Sequence, residues 1–136
     1  MFSYFFHHRS SMINGSCYCE AVKFELIKPP TMMGTCHCSR CRKAGASTIV
    51  FVERDSLVWI RGKELVSTYQ PKPPFKYLRN FCSVCGTSLG EILSLESSFP
   101  IAANCFDNDP TVRNSLHECV ESKPSWYQVV DGKIEL

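Results

Sequence analysis

Hydrophobic and polar positions alternate with a period of two along much of this chain. In Ala21–Leu26, Val22, Phe24 and Leu26 fall on one face and Lys23 and Glu25 on the other, the pattern of a half-buried strand. Pro29 and Pro30 end it. Thr48–Glu53 is a continuous β-branched and aromatic run, suited to a buried strand. Leu57–Ile60 and Leu65–Tyr69 flank Arg61 and Gly62 and read as a hairpin. After a loop marked by Pro71, Pro73 and Pro74, Phe75–Phe81 alternates again and runs straight into Cys82. Ser88–Leu93 and Ile101–Cys105 complete the expected strands. Helical signal is confined to Ser39–Ala44 and Asp109–Ser115. The periodicity predicts a mostly β domain with short helical pieces.

At 136 residues the chain is expected to form one domain with a modest core, a size at which a metal staple helps. Residues 1–11 read as an extraneous, solvated terminus, His7 and His8 included, and the domain as 12–136. A net charge of +2 without any Lys/Arg run neither demands a nucleic-acid partner nor excludes one. No stretch approaches the roughly 18 apolar residues that span a membrane. The start Met1–Arg9 lacks a basic leader followed by an apolar core, so the expected compartment is the cytoplasm. There, cysteine pairs at close spacing serve as metal ligands more often than as disulfides.

Seven of the nine cysteines form three such clusters: Cys17-x-Cys19, Cys36-x-Cys38-x-x-Cys41 and Cys82-x-x-Cys85. In an extended strand, residues two apart point the same way, so Cys17 and Cys19, or Cys36 and Cys38, can face one ion. Cys82–Gly86 has the form of a zinc knuckle. Spacing allows two partitions. Cys17, Cys19, Cys82 and Cys85 can close one site of four thiolates, leaving Cys36, Cys38 and Cys41 as a triad with one open position. Alternatively, Cys38-x-x-Cys41 pairs with Cys82-x-x-Cys85 as a two-knuckle site. A closed site is structural; an open one can bind and activate a ligand.

The stretches Gly15–Phe24, Cys36–Lys43 and Arg79–Thr87, with the tail Lys123–Trp126, resemble the glutathione-dependent formaldehyde-activating enzyme family, which includes centromere protein V. The resemblance implies a zinc-bound "β-tent" of coiled antiparallel sheets. It also implies the first partition: a structural zinc on Cys17, Cys19, Cys82 and Cys85, and a catalytic zinc on Cys36, Cys38 and Cys41, where three protein ligands would hold metal less firmly than four. The chain departs from the family in lacking room for segments that help grip glutathione, and in carrying Asn104–Asp107 where relatives often have Gly-x-Leu-Asp.

The function expected from this is a zinc-dependent carbon–sulfur lyase, or thiol adduct synthase, resembling S-(hydroxymethyl)glutathione synthase. A substrate thiol in the vacant position would be held as thiolate and attack a small aldehyde such as formaldehyde. Arg40, Arg42 and Lys43 flank the triad and are candidate anchors for the carboxylates of glutathione; the competing reading is three solvated surface charges. His37 is a candidate proton carrier, or a packed imidazole. His117 matches a histidine frequent in the family, without an assigned role. Cys105 and Cys119 read as small buried groups, with Cys105 a conceivable fourth ligand to the triad. Trp59, Trp126 and Tyr127 read as core anchors. The alternative function is a non-catalytic zinc-binding module for protein or nucleic acid.

Overall fold

The computed structural model describes residues 12–128 and 134–135; the segment expected to be extraneous, 1–11, lies outside them. Three sheets make up the described part. In the first, β1 (Ile13–Ser16) and β2 (Lys23–Leu26) form an antiparallel hairpin, and β5 (Leu57–Arg61) flanks β2. The second runs in the order β11 (Ile134–Glu135), β10 (Asn114–Glu118), β3 (Met32–Cys36), β4 (Thr48–Glu53) and β9 (Ser98–Ala102). Here β10 lies parallel to both β3 and β11, and the other pairings are antiparallel. The third sheet is β6 (Val66–Tyr69), β7 (Arg79–Cys82) and β8 (Ser88–Gly90), also antiparallel. One short helix, α1 (Ser39–Lys43), follows β3. The mostly β fold with short helical pieces is thus the one observed. No described helix is long and apolar enough to cross a membrane.

The alternation in the second strand sets the core. Val22, Phe24 and Leu26 are at most 1% exposed, each worth about 1.5–3 kcal/mol of apolar transfer. They pack with Val52, Leu89 and Phe99 from the other two sheets. Cys17, Cys82 and Cys105 belong to the same cluster.

Four expectations are corrected. Leu57–Ile60 and Leu65–Tyr69 do not pair: β5 joins β2 and β6 joins β7. Gly62 between them has φ 82°, and a Cβ there would lie 2.0 Å from the Ala21 carbonyl oxygen. The chain is pressed against the β1–β2 loop and redirected through a 3-10 turn into the other sheet. Asp109–Ser115 is not a helix. The Asp109 carboxylate accepts the Thr111 N–H at 2.8 Å, and Thr111 takes φ 65°, so the side chain replaces a helical bond and β10 begins at Asn114. Strand Ser88–Leu93 stops at Gly90, where φ is 71°. Trp126 is no core anchor, being 72% exposed.

Candidate metal centres and the adjoining cleft

The β1–β2 turn and the loop after β7 converge on one point. The Cys17 N–H donates to Val22 O and the Glu20 N–H to Cys17 O, closing a tight reversal. Cys17 and Cys19 therefore share a side because of a turn, not because of an extended strand. Opposite them, the Cys82 sulfur accepts the N–H groups of Val84 (3.4 Å) and Cys85 (3.5 Å). Gly86 completes the knuckle at φ 82°, and its N–H donates to Cys82 O. The four sulfurs of Cys17, Cys19, Cys82 and Cys85 lie within 4.8 Å of one another.

These distances fit a metal. Zn–S bonds of about 2.3 Å in a tetrahedron put sulfurs roughly 3.8 Å apart. Cys17–Cys19 is 3.6 Å and Cys19–Cys82 is 3.9 Å. All nine cysteines are free thiols, and N–H donors point at sulfur, as thiolates require. The Thr87 hydroxyl accepts the Tyr18 N–H at 2.9 Å, so its own proton faces Cys85 Sγ at 3.1 Å. That hydroxyl, outweighing partial burial, pulls the Cys85 thiol down to about 5.

The second cluster is built at the β3–α1 junction. Cys36 ends β3, Cys38 caps α1 and Cys41 lies inside it. The Cys36 N–H donates to Ser47 O and the His37 N–H to Glu118 O, fixing the segment between its neighbours. The three sulfurs fall within 4.8 Å of one another, and among the described residues no fourth His, Cys, Asp or Glu joins them. This donor set also fits a metal, with one position left for a ligand. Burial pushes the Cys41 thiol up to about 12, opposed by the Arg79 guanidinium at 3.7 Å. Burial raises Cys36 as well. At Cys38 burial is outweighed by the Cys41 N–H and neighbouring bonds, and its thiol falls below the ordinary range.

Other candidates fall elsewhere. Cys105 is buried near Cys17, with its thiol donating to Ala102 O at 3.0 Å, so it is no fourth ligand to the triad. Cys119 follows β10 in a left-handed conformation, outside the triad. His37 is a packed imidazole: its Nε2 lies 2.9 Å from His117 Nδ1, and Tyr127 stands edge-on to its ring.

Between α1 and β7 opens a cleft of about 570 Å³ whose charged lining residues are all cationic: Arg40, Lys43, Lys72 and Arg79. Of the three expected anchors, Arg40 and Lys43 line it. Arg42 does not, and its Nε is buried without a hydrogen-bond partner among the described residues. Sequence reasoning had not singled out Arg79 or Lys72. Arg79 stands at the head of the third cysteine motif, where its alternation with Phe81 placed both on one strand face; Lys72 sat in what read only as a proline-rich loop.

Known proteins resemble this chain. The family described as "Glutathione-dependent formaldehyde-activating enzyme" matches residues 12–122. A protein of Halomonas elongata named "Putative glutathione-dependent formaldehyde-activating enzyme" is 31% identical over 130 residues, 87% of this chain and 81% of that one. A crystal structure of a Rhodobacter sphaeroides protein shares the fold with TM-score 0.54 and 23% identity, over 71% of this chain and 89% of that one. The chain belongs to the glutathione-dependent formaldehyde-activating enzyme family.

Proposed function

We propose that this member of the family is a carbon–sulfur lyase, or thiol adduct synthase, joining a glutathione-like thiol to a small aldehyde in the reducing cytoplasm. The observation that carries the reading is the three-sulfur cluster opening beside an all-cationic cleft. Cys17, Cys19, Cys82 and Cys85 would hold a structural zinc, and Cys36, Cys38 and Cys41 a second. Bound there, zinc would stabilise a substrate sulfur as thiolate at neutral pH.

The chain's own groups do the rest. Arg40, Lys43 and Lys72 give carboxylates of the thiol charged partners along the cleft. Arg79 bridges cleft and triad: its guanidinium bonds Cys41 while lining the cavity. It thereby directs an anionic sulfur to the triad. In the forward step the sulfur lone pair forms the S–C bond, the carbonyl pair moves to oxygen, and oxygen takes a proton from water. Cleavage is the reverse.

The test measures adduct formation from glutathione and formaldehyde with wild type, Cys38→Ala and buffer. Acceleration by wild type alone is the expected result. Equal rates in all three would remove the proposal.

A further inference from the structure

We propose that the cleft seats a flat, unsaturated group of the substrate, so that the adduct joins a carboxylate-bearing thiol to an aromatic aldehyde. This rests on the thiol-adduct reading above and names the carbonyl partner for it. The chemistry needs no oxidant: sulfur's lone pair bonds the aldehyde carbon, the carbonyl pair moves to oxygen, and water supplies the proton.

Size is the first argument. A water's share of liquid volume is about 30 Å³, and a one-carbon carbonyl is little larger, yet the cleft offers about 570 Å³. The thiol must fill part of it, but the wall is poorly suited to a polar peptide alone. Between the cations it is built from Tyr69, Phe75, Tyr77 and Phe81 with Pro71. Their flat faces satisfy no amide. A concave apolar wall with a few convergent charges is the usual form of a small-molecule site.

Exposure is the second argument. Tyr69 is 56%, Phe75 46% and Tyr77 59% exposed, all in one short stretch of chain. Three aromatics left in water around one concavity mark a surface awaiting a ligand. The third is a stack already begun. The Arg40 guanidinium lies 4.0 Å above the Phe75 ring, and none of the four cleft cations forms an ion pair among the described residues. A planar group can extend this cation–aromatic stack while its carboxylate meets the free guanidinium edge.

The experiment titrates the purified protein with S-benzylglutathione and S-methylglutathione, following intrinsic fluorescence or heat. Both are thioethers with no thiol to give, so binding reads the cleft without turnover. The benzyl ligand should bind about tenfold tighter or better, in the range expected for apolar groups in a fitted pocket. In Tyr77→Ala, and separately in Tyr69→Ala, that preference should shrink to about threefold or less; both side chains are exposed, and melting curves check folding. Equal affinities, no binding of either ligand, or a preference untouched in both variants would overturn the proposal. Formaldehyde turnover with no benzyl preference would leave the reaction standing without the aromatic seat. Benzyl preference without any adduct formation would leave the seat and remove the reaction.

Discussion

The two cysteine clusters use the same ligand chemistry in opposite settings. Cys17 and Cys82 are part of the hydrophobic core, 2% and 0% exposed, and tie the β1–β2 turn to the loop after β7. The triad lies outside that core, at the junction of β3 with a helix of five residues, next to the cationic cleft. On the proposed reading, one arrangement would spend its four sulfurs on holding two sheets together through a metal. The other keeps three sulfurs and an empty direction. If the proposed roles hold, placement more than ligand type separates the structural site from the reactive one.

The sharpest way to break this contrast is to remove one sulfur from each side. Cys82→Ser deletes a fully buried ligand that accepts two backbone N–H groups. Structural zinc binding is worth on the order of 10 kcal/mol in small metal-folded units, more than the stability of many domains. Loss of a cooperative melting transition is expected, read by circular dichroism. A native-like melt would refute the structural role. Cys38→Ser should lower adduct formation by about 100-fold or more, as removal of a reacting-centre group does, while the melt shifts only a few degrees. A collapse of folding as deep as that of Cys82→Ser would erase the distinction between the two sites.

The three cysteine clusters were legible in the sequence because their spacing is local, but spacing left two partitions open, and the resemblance to the family favoured the grouping that the sulfur positions show. The Cys82–Gly86 knuckle needs only five residues and a glycine at φ 82°, and both could be read directly. What brought Cys17 and Cys19 together was misread, since a turn and a strand place two sulfurs alike at that spacing. The cleft was not legible. Arg40 and Lys43 reach it with Arg79 and Tyr69 only because β6 leaves β5 at Gly62 for another sheet. That departure depends on contact with Ala21, some forty residues earlier, which no local pattern reports. Asp109–Ser115 failed for a different reason: one carboxylate–backbone bond outcompetes a helical turn.

A milder probe tests how protons distinguish the sites. Arg79 opposes the burial that pushes the Cys41 thiol up to about 12. In Arg79→Gln that thiol rises further, so at any given pH the empty triad binds its proton more firmly. Metal must displace that proton, and apparent affinity changes about tenfold per pH unit for each proton displaced. Acid release of metal from the triad should therefore begin at a higher pH than in wild type, and adduct formation at neutral pH should fall. The closed site is expected to release its metal in a step of its own, set by four sulfurs among which Cys85 is held down to about 5 and Cys19 is pushed up to about 11. A stepwise acid titration with a zinc-sensitive dye reads both. A single release step unmoved by the substitution would count against the assignment of Arg79.

The smallest expected effect sits on the closed side. Thr87, in the loop after β7, accepts the Tyr18 N–H from the β1–β2 turn and donates to Cys85 Sγ within its own loop. Thr87→Val keeps the shape and removes both bonds. Each hydrogen bond contributes about 1 kcal/mol, more where the partner is charged, so losing both should lower the melting temperature by about 6–10 °C in a domain of this size. The Cys85 thiol, no longer held at about 5 by that hydroxyl, rises toward the ordinary thiol range. Its proton then competes with metal at a higher pH, and the closed site's release step moves up. The triad's step stays where it was, because no bond of Thr87 reaches Cys36, Cys38 or Cys41. Movement of both steps together would show that the two clusters titrate as one unit, against their separation in the fold.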